Sequence, residues 1–164
     1  MPTDTEHRII FLGQAPAKPG SRHGVAGTYI RPWLYRIGLD DTAITQRCRF
    51  YALMGTFPGS DGKGHLRPSQ AQIAEHRPFL VAEMLAFRPH VFVPVGGMAI
   101  SETLPEAGTM LSDIVGKSFS MNPFGCLDEP ITVIPLPHPS GRSTWLHQHK
   151  HLLDEALRLL ENAA

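Results

Sequence analysis

A chain of 164 residues, 42% hydrophobic and 18% charged, is long enough to bury one sizeable core and too short for two ordinary domains, so one domain over residues 1–164 is expected. Fifteen Lys and Arg balance fifteen Asp and Glu; a formal net charge of zero excludes nucleic-acid binding by the whole surface and leaves that task to a local basic patch. No apolar stretch approaches the roughly 20 residues that span a bilayer, and Met1 to His7 has neither the basic nor the apolar region of a secretory signal, so a cytoplasmic chain without membrane contact is expected.

His7 to Leu12 reads as a first strand, followed by the loop Gly13-Gln14-Ala15-Pro16-Ala17. Arg31 to Ile37 holds a helix ended by Gly38, with Trp33, Leu34 and Ile37 on its buried side. The second strand is Arg49 to Met54. Cys48 and Cys126 stand 78 positions apart in no metal-type spacing, which favours free thiols. Pro58-Gly59-Ser60-Asp61-Gly62-Lys63-Gly64 reads as an exposed loop, because it lacks the glycine and Lys-Ser/Thr spacing of a phosphate loop. Ser69 and Gln72 have the spacing of a capping box and open a long helix. Pro78 is expected to kink or restart it, with the apolar stripe resuming at Phe79, Leu80, Met84 and Leu85.

Val91 to Val95 is the third strand and Ile131 to Leu136 the fourth, followed by His138-Pro139-Ser140-Gly141-Arg142-Ser143-Thr144-Trp145. A last helix runs from Leu146 to Leu160, where Leu146, Leu153, Leu157 and Leu160 form a stripe that Leu152, Ala156 and Leu159 widen. His147 and His151 fall four apart on that helix. A zinc-hydrolase helix would need glutamate where Gln148 stands, so a solvated face is favoured and no metal is expected. Apolar runs alternating with helical segments give an α/β fold around a four-stranded parallel sheet.

Two loops carry the chemistry. Each is a Gly/Pro-punctuated turn at the carboxyl end of a buried strand, where open α/β sheets assemble their ligand sites. No Gly-x-Ser-x-Gly elbow surrounds Ser140, so an esterase nucleophile is not indicated. Pro137 and Pro139 fix the backbone around His138, and a fixed imidazole can donate to a carbonyl oxygen. Ser140-Gly141-Arg142 adds a small hydroxyl, a backbone open to close approach and a planar cation, a set suited to an anionic or nucleotide ligand. The alternative for His138 is a turn histidine satisfied by a backbone carbonyl.

Taken together, Gly13-Gln14-Ala15-Pro16-Ala17 and His138-Pro139-Ser140-Gly141-Arg142-Ser143 resemble the paired signature loops of the uracil-DNA glycosylase superfamily, in the pattern of its small bacterial and archaeal branch. Further likeness lies in Phe57-Pro58-Gly59, Arg67-Pro68-Ser69, Pro78-Phe79-Leu80 and Val93-Pro94-Val95-Gly96-Gly97-Met98-Ala99-Ile100, so it covers roughly Arg8 to Leu160. The resemblance implies a three-layer α/β/α sandwich that flips a base from DNA and hydrolyses its glycosidic bond without a metal, in base excision repair; a monomer is the default for an enzyme that must wrap a duplex edge.

It also implies roles. Gln14 matches the water-positioning residue, and Gly13, Ala15 and Pro16 belong to the same pocket loop. His138 matches the histidine that bonds a base carbonyl and stabilises charge on the departing base. Arg142 matches the wedge that enters the duplex, and Ser140, Gly141 and Ser143 match the phosphate-contacting segment.

Several positions depart from the family's pattern. Gln14 and Ala15 bring no carboxylate to the first loop, where related members often carry one. Ala52 stands where several branches read uracil with asparagine. The stacking phenylalanine is replaced near Val25-Ala26-Gly27, which leaves Tyr29 or Trp33 as substitutes. Members nearest in pattern hold an iron–sulfur cluster by four cysteines, whose later positions correspond to Thr56 and His76; two cysteines cannot ligate such a cluster, so no cofactor is expected. Three readings follow: a DNA glycosylase acting on uracil or a related deaminated or damaged base, a weak or inactive protein of the same fold that binds DNA or a damaged base, and an enzyme or binder for a small nucleotide or metabolite.

Overall fold

The computed structural model describes residues 6–16, 29–62, 66–108, 110–139 and 144–164. In chain order the strands are β1 (Ile9–Gly13), β2 (Cys48–Ala52), β3 (Val91–Pro94), β4 (Phe119–Met121) and β5 (Ile131–Val133). The helices are α1 (Arg31–Arg36), α2 (Asp41–Arg47), α3 (Gln70–Phe87), α4 (Gly97–Thr103), the single turn α5 (Leu111–Ile114), α6 (Thr144–Gln148) and α7 (Lys150–Ala163). The sheet order is β2-β1-β3-β5-β4, with β2, β1, β3 and β5 parallel and β4 antiparallel to β5. The sheet therefore has five strands, not the expected four. Phe119–Met121 is three residues long and its inner face is only half-buried, too little for a pattern of alternation to be visible.

β1 and β3 are apolar without interruption because both of their faces are covered. Ile9 and Phe11, with Val91 and Val93, meet Leu34, Ile44, Leu153 and Leu157 on one side of the sheet. Ile10, Leu12 and Phe92 meet Ile73, Leu80, Met84 and Ile100 on the other. Helices α1, α2 and α7 thus form one outer layer and α3, α4 and α5 the second, the α/β/α sandwich expected from the sequence.

Within these layers the capping box forms: the Ser69 hydroxyl accepts the Gln72 N–H at 3.1 Å, and the Gln72 side chain accepts the Ser69 N–H at 2.8 Å. The expected restart at Pro78 does not occur. Helix α3 runs continuously through it, and Pro78 and Ala74 are both exposed, so the carbonyl left without a helical donor faces water. Leu80 and Met84 are buried as expected, whereas Phe79 and Leu85 are each 49% exposed.

The expected last helix is two helices, broken at His149, whose Nδ1 donates to the Trp145 carbonyl at 2.9 Å while its ring stacks on Trp145. The break means that His147 and His151 do not share a continuous helical face; both are exposed. Among the described residues no helix is long and apolar enough to cross a membrane.

Candidate active site at the carboxyl ends of the strands

Chain direction fixes where a site can form. From β1 the chain passes to β2 on one side, and from β3 it passes to β4 and then β5 on the other, so strand order reverses between β1 and β3. At such a switch point the loops leaving the two strands turn away from each other and open a crevice. Four backbone hydrogen bonds set the loop starts at one level: Leu53 N–H to Gly13 carbonyl (3.0 Å), Val95 to Leu12 (2.8 Å), Leu136 to Pro94 (3.0 Å) and Gly96 to Leu136 (2.9 Å).

The structure brings Gly13 and Ala52 side by side as register partners on β1 and β2. Gln14, Ala15 and Pro16 continue directly from β1 and are half-buried. Ala52 presents only a methyl group, so it has no amide with which to read a base. Tyr29 is 48% exposed in the turn that leads into α1. Ser140, Gly141, Arg142 and Ser143 lie outside the described residues, as do Ala17 and the Val25-Ala26-Gly27 segment.

His138 follows β5 on a rigid stem: Leu136 bridges Val95, and Leu136 and Pro137 are buried. The imidazole emerges exposed, yet enough protein surrounds it that desolvation pulls its pKa below the ordinary 6.5. It is therefore neutral at physiological pH, with one ring N–H to give and no charge to neutralise. The Cβ and the ring Cδ2 of His138 come within van der Waals reach of the position a Cβ on Gly96 would take. The Gly96-Gly97 pair was visible in the sequence as part of the Val93 to Ile100 run, but nothing in the sequence tied it to His138, 42 positions later.

A second feature adjoins the site. Past β2, a cavity of about 330 Å³ is lined by Met54, Gly55, Thr56, Gln72, Glu75 and His76. The His76 ring comes so close that a Cβ on Gly55 would lie 3.0 Å from its Nδ1. Thr56 and His76, the positions that correspond to cluster cysteines, do come together. Their hydroxyl and imidazole are not thiolates, and Cys48 and Cys126 stand elsewhere, at the start of β2 and after the turn Pro123–Gly125. The residues present do not fit an iron–sulfur cluster.

None of the curated proteins matches the chain. The family model described as the uracil DNA glycosylase superfamily matches residues 2–161. With that match spanning the switch-point crevice and all four parallel strands that form it, the chain belongs to the uracil DNA glycosylase superfamily, a family of hydrolytic glycosylases that act on DNA.

Proposed function

We propose that residues 1–164 form one glycosylase-like domain that flips uracil or a related deaminated or damaged base from DNA and hydrolyses its N-glycosidic bond. The observation that supports this reading is the seat of His138, which follows buried Pro137 off β5 at the same end of the sheet from which Gly13 to Pro16 leave β1, with burial holding the imidazole pKa below its ordinary value. As the bond between sugar and base breaks, its electron pair moves into the base and charge grows on a ring carbonyl oxygen. An imidazole N–H aimed at that oxygen stabilises the charge as an oxyanion hole does. The Gln14 amide orients the water that adds to the sugar carbon, and the departing base, which carries away the electron pair of the broken bond, takes up the water's proton. Arg142 fills the gap left by the flipped base, and Ser140, Gly141 and Ser143 hold the flanking phosphates.

One observation favours a second reading. The first loop offers Gln14 and Ala15 with no carboxylate to take the water's proton, which suits a protein that recognises a damaged base and cleaves it slowly or not at all.

Alkaline cleavage of labelled oligonucleotides carrying uracil, hypoxanthine or xanthine, single-stranded and against each opposing base, tests both. Under the first reading one substrate is cut, and His138→Ala lowers the rate by about 10²–10³ while DNA retention stays. No cleavage of any substrate, with salt-dependent DNA retention intact, would support the binder. Loss of both cleavage and retention would point to a small nucleotide or metabolite as the ligand.

A further inference from the structure

We infer that Gly96 is a positioning residue for His138, and that the imidazole can take its working place only because residue 96 holds a backbone conformation that only glycine adopts. The inference rests on His138 acting at the departing base.

Gly96 has φ 86° and ψ 162°, a region in which side-chain-bearing L-residues are essentially not found. Its backbone is fully engaged there. The N–H donates to the Leu136 carbonyl at 2.9 Å, and the Gly96 carbonyl accepts the Ile100 N–H at 3.0 Å, which starts α4. Leu136 is followed by buried Pro137 and then His138, so Gly96 is bonded two positions upstream of the imidazole across a stiff link. A Cβ on Gly96 would sit 3.7 Å from His138 Cβ and 3.8 Å from Cδ2.

A methyl group at that spacing makes an ordinary contact, so crowding alone does not forbid alanine. The obstacle is the backbone. An alanine at 96 relieves its strain by leaving positive φ, and that rotation pulls on the hydrogen bond to Leu136 and on the start of α4. Displacement of His138 is the expected result. The neighbouring Gly97 provides a matched control, since its φ is not positive and a Cβ there meets nothing within 4 Å. Gly38 provides a control for strain alone: its φ is +92°, its surroundings are open, and it lies at the end of α1.

The test combines kinetics with NMR of the imidazole in the full chain. On the substrate that the wild type cleaves, Gly96→Ala should lower kcat by roughly tenfold to a hundredfold with KM nearly unchanged, the loss expected from a misplaced catalytic group. Its His138 ring should titrate nearer the ordinary histidine value than in the wild type. Gly97→Ala should alter neither quantity, and Gly38→Ala should alter stability only. In the wild type, a nuclear Overhauser contact between the Gly96 Hα protons and the His138 Hδ2 proton is expected.

A folded Gly96→Ala protein with unchanged His138 titration and unchanged kcat would overturn the inference. So would the absence of the Gly96–His138 contact in the wild type, which needs no variant to fold. If His138→Ala cleaves as fast as the wild type, the catalytic reading and this inference fall together. If His138→Ala is inactive while Gly96→Ala is not, only the inference falls.

Discussion

At the amino end of the sheet, the His90 ring stacks on His7 with centroids 4.7 Å apart, and its Nδ1 accepts the Arg8 backbone N–H at 3.0 Å. Protonating that nitrogen breaks the bond, and desolvation, followed by the charges of Arg8 and His7, lowers the pKa below the ordinary 6.5. Because the folded state binds this proton less readily than the unfolded state, the contribution of His90 to stability is full above about pH 6.5 and fades as pH falls through the lower folded value. A series of denaturant midpoints between pH 7 and pH 5 should therefore drop more steeply for the wild type than for His90→Gln; equal slopes would contradict the assignment. Cys48 offers a second check. Burial pushes its thiol up to about 11, so alkylation at pH 8 should proceed only as fast as the chain opens. At this scale the sequence announced His138, through its two flanking prolines, and Gln14, through the turn it occupies. It did not announce Gly96, because the meaning of a glycine depends on a φ angle and on a neighbour 42 positions away.

Periodicity made some elements easy to read and left others hidden. Helix α7 buries Leu153, Ala156, Leu157 and Leu160 at spacings of three and four, the stripe expected from the sequence. Leu157→Ala should cost on the order of 2 to 5 kcal/mol in a denaturant titration, and Ser69→Ala about 1 kcal/mol through loss of the α3 cap. Helix α2 escaped notice although Asp40 caps it, its side chain accepting the Ala43 N–H at 2.8 Å, because only Ile44 and Arg47 of its seven residues are buried. The second strand ends at Ala52 and not at Met54: Leu53 and Met54 are buried like strand residues but already belong to the turn toward the cavity. Helix α4 starts inside a Gly-Gly pair, where propensity argues against a helix and the tertiary setting decides.

For the molecule as a whole, the strand order could be narrowed but not fixed from sequence, since parallel crossovers permit several arrangements and β4 gave no pattern of its own. The order that forms places the reversal between β1 and β3 and brings the ends of β1 and β5, from which the two motifs leave, to the same end of the sheet with β3 between them. With a formal net charge of zero, DNA retention should depend on a few local contacts, giving a salt slope of only a few phosphates at about −0.9 each. A slope typical of a broadly basic surface would argue against the crevice as the contact. The lack of thiolates around Thr56 and His76 predicts that the purified chain contains no iron and that its unfolding midpoint does not move with chelator. Stoichiometric iron would contradict this reading of the cavity.

The bond from His7 Nδ1 to the Ala163 carbonyl, 2.6 Å long, has an engineering consequence. It ties the segment entering β1 to the last turn of α7, and five residues of β1 then separate that junction from the crevice by about 17 Å at the usual rise per strand residue. Residues 7 and 163 can thus be joined by a short linker and the chain reopened elsewhere, in a circular permutant whose crevice keeps its geometry. A reporter or second enzyme fused beside either residue would sit at the amino end of the sheet, away from the crevice at its carboxyl end.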